Sequence, residues 1–185
     1  MSNINLAIIG FGRIGRIHAA NILAAEDINL QMIVDPILDV NKILTDKGIR
    51  QSKDIGDLFD LRNIDGVIIC SPSKYHVDQI KQISQKTKNI FCEKPLGLSI
   101  NEIMEAKTLV DNNKLNLHVG FNRRFDPDFS SLKTAISSGE IGDVHTIKII
   151  SRDPSPPPIS YIKKSGGIFL DMTIHDFDMV KYLSG

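Results

Sequence analysis

The chain has 185 residues, 42% of them apolar and 24% charged, the balance of an ordinary globular protein rather than a disordered or fibrous one. Its 22 basic side chains cancel its 22 acidic ones, 14 of each before residue 121 and eight of each after it, so no face is basic enough to predict nucleic acid as a partner. No apolar run approaches the roughly 20 residues that span a bilayer, so no membrane partner is expected.

Short apolar runs alternate with segments of helical period. Ile4–Ile9 reads as a buried strand and Ile14–Ala25 as a helix, followed by a strand at Ile28–Val34. Val40–Leu44 and Ile55–Leu61 read as short helical pieces. Val67–Cys70 is a strand, His76–Gln85 a helix and Asn89–Cys92 a strand. Ser99–Val110 is a helix whose Ser99-x-x-Glu102 start fits a capping box. Leu115–Val119 closes the series as a strand. Continuous apolar strands separated by helices predict a doubly wound α/β domain with a parallel sheet, over residues 1–120.

The pattern changes after Gly120. Phe125–Phe129 reads as a turn containing Asp and Pro, Ser130–Ser138 as a helix closed by Gly139, and Val144–Arg152 as a long alternating strand. The run Asp153–Pro158 is proline-rich and short of amide donors. Gly166 and Gly167 follow, then an apolar helix over 173–183. One strand and two helices make an incomplete sheet, with unpaired edges. Residues 121–185 are therefore expected to be the start of an α+β second domain, in a chain cut short at its C-terminus.

Gly10-Phe11-Gly12-Arg13-Ile14-Gly15 lies between the first strand and the first helix. Gly10 permits the tight turn, Gly12 lets backbone approach a pyrophosphate, and Gly15 lets helix pack on strand. The helix N-terminus offers amide donors to phosphate. Asp35 stands 20 residues after Gly15 at the end of the second strand, the context in which this fingerprint signals a dinucleotide. Its carboxylate can accept from both adenosine ribose hydroxyls and would repel a 2′-phosphate. The next residues, Pro36 and Ile37, supply no arginine, so NAD is expected rather than NADP.

Three further segments carry chemistry. Glu93-Lys94-Pro95 follows a strand at the carboxyl edge of the sheet, where open α/β folds bind ligands. A lysine there can hold a substrate hydroxyl and ease alkoxide formation, though a surface lysine in a turn has the same signature. Asp171 and His175 are spaced i, i+4. On a helix they share a side, and the aspartate could orient a histidine acting as general base; a capping aspartate beside a partly buried histidine is the plainer alternative. Gly120-Phe-Asn-Arg123-Arg124-Phe-Asp126 puts two arginines after a strand, suited either to polyhydroxylated ligands or to a hinge surface. Ser71 lies in a loop expected to pass near the cofactor.

Four histidines are given lesser roles. His18 is expected in helix packing, His76 in capping or contact, and His118 and His145 in strands. No His/Cys/Asp/Glu spacing forms a metal site. Cys70 and Cys92 are too few for a disulfide framework and read as buried thiols. With no basic stretch at its start the chain does not read as carrying a signal peptide, and a cytoplasmic location is expected.

Taken together, Gly10–Gly15 with His18, Glu93-Lys94-Pro95, Gly120–Asp126 and Gly166-Gly-x-x-x-Asp171-Met-x-Ile-His175-Asp176 resemble the glucose-fructose oxidoreductase/inositol dehydrogenase (Gfo/Idh/MocA) family. Ser151–Pro158 and the segment ending at Met179 are most like its myo-inositol 2-dehydrogenase branch. The resemblance covers the whole chain, which is about half the family's length. It implies a Rossmann domain, then a domain whose open sheet makes homo-oligomer contacts. It also implies NAD-dependent oxidation of a ring hydroxyl of a cyclitol such as myo-inositol, or of a sugar. By motif position Lys94, Asp171 and His175 match the catalytic residues, and Arg124 and Asp153 are further candidates for substrate or cofactor contact. Because the expected scaffold is incomplete, NAD binding with little turnover stands as the alternative.

Overall fold

The computed structural model describes residues 3–37, 42–152, 155–162 and 165–185. They fall into two compact units, Met1–Gly120 and Phe121–Gly185.

The first unit runs β1 (Ile4–Ile9), α1 (Arg13–Ala24), β2 (Ile28–Val34), α2 (Lys42–Asp46), β3 (Arg50–Ser52), β4 (Gly66–Ile69), α3 (His76–Ile83), β5 (Asn89–Cys92), α4 (Ile100–Asn113) and β6 (Asn116–Val119). The six strands form one parallel sheet in the order β3-β2-β1-β4-β5-β6. This is the doubly wound Rossmann arrangement, with the strand order reversing between β1 and β4. Successive residues of a strand face opposite sides. Ala7 and Ile9 accordingly join Met32, Val34, Val67, Ile69, Ile80 and Ile83 on one side of the sheet. Ile8 joins Ile33 and Ile68 on the other side, with Ala19, Ile22 and Leu44 from the helices. Burying apolar strands on both faces is what a parallel sheet requires.

Helix α1 buries Gly15, Ala19 and Ile22, one stripe at i, i+4, i+7. Helix α4 starts as its sequence predicts: Ser99 Oγ accepts from Glu102 N at 3.3 Å. The reciprocal bond reaches one residue further back, from Leu98 N to Glu102 Oε2 at 2.6 Å. Two sequence expectations in this unit are refined. Residues 55–60 form a 3-10 helix. Strand β3 was not expected, because Arg50-Gln51-Ser52 has no apolar alternation; it is an edge strand held by its backbone ladder to β2. Residues 40 and 41 of the predicted helical piece lie outside the described residues, and α2 begins at Lys42.

The second unit is helical: a 3-10 turn at Asn122–Phe125, α5 (Pro127–Ser137), α6 (Ile159–Ile162), a π-helical stretch at Phe169–Thr173 and α7 (Ile174–Ser184). Two expectations fail here. Asp126 and Pro127 do not make a turn but start α5: Asp126 Oδ1 accepts from Asp128 N at 2.9 Å and Phe129 N at 3.3 Å, and proline takes the first helical position. Residues 144–152 form no strand. A strand is defined by its ladder, and among the described residues of this unit none pairs with this segment, so the alternating pattern alone does not make one.

Candidate functional site

At the β1/β4 switch point the carboxyl ends of the strands carry the glycine turn and the Ser71 loop. Gly10 adopts φ +92°. A Cβ there would lie 2.5 Å from Ser71 N and 2.6 Å from Cys70 C, so the loops after β1 and β4 touch backbone to backbone. A Cβ at Gly15 would sit 2.0 Å from Gly10 O, which no neighbour can relieve. Gly12 differs, because a Cβ there meets nothing within 4 Å. Gly10 and Gly15 are thus demanded by the fold. Gly12 faces open space at the start of α1, where backbone is free to approach a ligand. The first turn of α1 holds no acidic side chain and its cap makes no side-chain bond, leaving its amides and dipole available to phosphate.

Asp35 closes this turn. Its Oδ2 accepts from Phe11 N at 2.7 Å and its Oδ1 from Ile37 N at 3.0 Å. Each carboxylate oxygen has a further acceptor site, so the group holding the loop can also accept two ribose hydroxyls. Phe11 is buried, with Arg16 over its ring at 4.8 Å; Arg13 is exposed and Ile14 half-buried. The Ser71 hydroxyl donates to Gln79 Oε1 at 2.6 Å. The open glycine, the uncapped helix start and the oriented aspartate fit a dinucleotide.

Glu93 extends the ladder beyond β5, its N–H donating to Ile69 O at 2.9 Å. Lys94 follows half-buried, and the Lys94–Pro95 peptide is cis. Two histidines that sequence reasoning gave minor parts meet this turn. His18 is not mere helix packing: its Nε2 lies 2.8 Å from Glu93 Oε1, and its ring meets Phe91 edge-on. His76 is buried, with Nδ1 2.8 Å from Pro95 O and Nε2 2.8 Å from Ser71 O. The sequence signal was there, since His18 falls one turn behind the glycine loop and His76 opens the helix after Ser71. His118 stacks on Phe91 in β6.

Cys92 is buried and Cys70 half-buried. Burial, then the charge of Glu93, pushes the Cys70 thiol up to about 12. Burial first, then Cys70 and Glu93, raises Cys92 as well. Neither suits a nucleophile. Among the described residues no group of three or more His, Cys, Asp or Glu could hold a metal ion, and no helix is long and apolar enough to cross a membrane.

In the second unit Asp171 lies in the π-helical stretch and His175 in the first turn of α7, on one continuous helical run. The His175 ring meets Phe121 edge-on at 6.4 Å. Asp176, absent from the sequence candidates, is anchored by Arg123 and by Ser151 Oγ at 2.7 Å. Burial raises its pKa, but the bonds from Ser151 and Arg123 and the charges of Arg123 and His175 outweigh this and hold it below the usual carboxylate range. Arg124 donates to Asp178 from Nε at 2.9 and 3.1 Å and pairs with it through Nη2. That bond, together with the Asp178 charge and despite some burial, keeps the guanidinium firmly charged. Asp153 lies outside the described residues.

Comparison with known proteins agrees with this geometry. Residues 4–121 match an oxidoreductase family with an NAD-binding Rossmann fold, and residues 129–185 match the GFO/IDH/MocA C-terminal domain. The chain is 41% identical to an inositol 2-dehydrogenase of Rhizobium meliloti over 182 residues, covering 98% of this chain and 55% of the relative. It is 42% identical to a myo-inositol 2-dehydrogenase of Thermotoga maritima, covering 97% and 54%. The structure of scyllo-inositol dehydrogenase from Lactobacillus casei with bound NAD(H) and scyllo-inositol superposes with a TM-score of 0.88 at 34% identity, over 100% of this chain and 57% of that one. The chain thus spans about half the length of the curated relatives it matches. On the family match, which covers well over half of its residues, the chain belongs to the GFO/IDH/MocA family of oxidoreductases with an NAD-binding Rossmann domain.

Proposed function

We propose that the chain serves NAD-dependent oxidation of a ring hydroxyl of a cyclitol to a ketone, with myo-inositol or a stereoisomer as the small polyol substrate. The observation that carries the cofactor choice is Asp35, an acid at the end of β2 whose two carboxylate oxygens accept from Phe11 N and Ile37 N, at the position where the fingerprint calls for a ribose acceptor. The substrate class rests on the names of the relatives at 41% and 42% identity.

In this reading Gly10–Gly15 and the start of α1 hold the pyrophosphate, Asp35 the adenosine ribose, and the Ser71 and Glu93–Lys94 loops the nicotinamide half. NAD, when bound, supplies the nicotinamide ring that accepts hydride from the carbinol carbon. Lys94 Nζ donates a hydrogen bond to the substrate hydroxyl and lowers the cost of the developing alkoxide. His175 takes the hydroxyl proton as the C–H bond breaks and the C=O bond forms. Asp171 orients the imidazole and stabilises its cation. Arg124, engaged by Asp178, is assigned to holding α7 rather than to substrate. The cytoplasm is the proposed location, in keeping with two free thiols, and a homo-oligomer is the proposed assembly.

The second reading, NAD binding with little turnover, is favoured by one observation. The second unit leaves Ile150, Ile159, Phe169 and Phe177 exposed and pairs no strand among its described residues. Equilibrium titration with NAD and NADP, followed by absorbance of the reduced cofactor with a panel of inositols and sugars, separates the readings. Reduction with an inositol supports the dehydrogenase. NAD binding without reduction by any panel member supports the second reading. Tighter binding of NADP than of NAD sinks the role of Asp35.

A further inference from the structure

The geometry points to His18 and His76 as positioning residues for Lys94, clamping the Glu93–Pro95 turn from its two sides. Lys94 has a carboxylate on one side and a prolyl peptide on the other, and each neighbour is bonded to a histidine from a different helix. On the N-terminal side, His18 of α1 lies 2.8 Å from Glu93 Oε1. The other oxygen of Glu93 faces Gly120, where a Cβ would come within 3.1 Å of it. On the C-terminal side, His76 Nδ1 meets Pro95 O and its Nε2 meets Ser71 O, both at 2.8 Å, with the ring 1% exposed.

Both ring nitrogens of His76 lie 2.8 Å from a backbone carbonyl oxygen, one at Pro95 and one at Ser71, and the tautomer decides which of them donates. A buried polar ring left without a hydrogen-bond partner is costly, so the ring is held where these two loops meet it. The two contacts join different parts of the nucleotide site. His18 comes from the helix that opens at the glycine turn, and His76 binds the loop that closes against Gly10. The neighbours of Lys94, Glu93 through its carboxylate and Pro95 through its carbonyl, are therefore tied to both walls of the cofactor site. Neither histidine touches the reacting atoms in this assignment; each acts through the turn.

The inference rests on the dehydrogenase reading for the role of Lys94, so its test has one arm that needs turnover and one that does not. The variants are His76→Phe and His18→Leu, which remove the donors, and His76→Gln and His18→Gln, which keep an N–H. Turnover with an inositol and NAD is measured alongside the rate at which trinitrobenzenesulfonate modifies Lys94, read by peptide mass spectrometry. Removing the donors should lower kcat by about 10- to 100-fold while KM for NAD stays within about threefold, the cost expected of a misplacement near 1 Å. The glutamine variants should recover much of the loss, and His18→Leu with Glu93→Gln should be no worse than the more damaging single change. Lys94 modification should shift by at least about threefold in the donor-less variants alone, in line with the same displacement. Unchanged kcat and unchanged Lys94 reactivity overturn the clamp, as does an equal loss in the glutamine variants. If the unsubstituted chain shows no turnover, the dehydrogenase reading fails and Lys94 reactivity alone decides. If His76→Phe does not fold, the His18 variants carry the test.

Discussion

Among the described residues, every buried apolar side chain belongs to the first unit except Met179 and Leu183. In the second unit the well-placed side chains are charged: Arg123 on Asp176, and Arg124 on Asp178. The first unit is a parallel sheet with both faces covered, so its loop residues are placed by the backbone ladder; Gly10, Cys70, Glu93 and Gly120 each donate to a neighbouring strand. Among its described residues the second unit has no ladder, and ion pairs to the 3-10 turn hold α7 instead. The proposed cofactor residues thus stand on the more strongly specified half of the chain. The proposed base, His175, stands on a half held by directional polar bonds that salt and acid weaken.

Substitutions can break this contrast. The largest effect should come from Gly15→Ala, whose Cβ would overlap Gly10 O at 2.0 Å; a loss of about 3 kcal/mol or more is expected, with NAD binding lost too. Urea unfolding checks it, and near-native stability would mean that α1 can move off the strand. Gly12→Ala is its control. With open space around that Cβ, stability should change by about 1 kcal/mol or less, the ordinary glycine-to-alanine range, while NAD affinity measured by calorimetry falls clearly.

In the second unit, Arg124→Ala leaves Asp178, whose side chain is 7% exposed, without its partner. Because Arg124 itself is 40% exposed, about 1–2 kcal/mol is expected, below the cost of breaking a fully buried pair. A protease-susceptibility assay should show cleavage within residues 121–185 rising before any in residues 1–120. Asp126→Ala removes the cap of α5 and should cost about 1 kcal/mol, with Asp126→Asn close to neutral by thermal unfolding.

The smallest effect is one of pH. The Asp176 carboxyl is held below its ordinary value, so its contribution is present above the unfolded pKa near 3.9 and fades as pH falls through the lower folded value. Peptic digestion at falling pH should open the second unit before the first. Asp176→Asn should flatten that dependence; an unchanged acid profile in the variant would show that another group governs it.

Much of the first unit was legible from pattern. The glycine turn, five of the six strands, the capping box at Ser99 and the Asp35 position follow from residue type and spacing. β3 was not legible, because an edge strand of Arg, Gln and Ser owes its existence to the carbonyls and amides of β2 and carries no apolar signature of its own. The opposite error occurred at Val144–Arg152. There the alternation was clear but no ladder partner exists among the described residues of the unit. Asp126-Pro127 likewise reads as a turn locally and becomes a helix start only because the following residues are helical.

The site divides in the same way. Which residues can bind a dinucleotide is written locally, since a glycine turn, a helix start and an acidic residue at the next strand end depend on neighbours close in sequence. That His18 meets Glu93 across 75 residues, or that one imidazole joins Ser71 to Pro95, is set by the strand order, which brings the ends of β1, β4 and β5 side by side. Side-chain partners separated by whole strands are chosen by sheet topology, and local spacing carries no record of that choice.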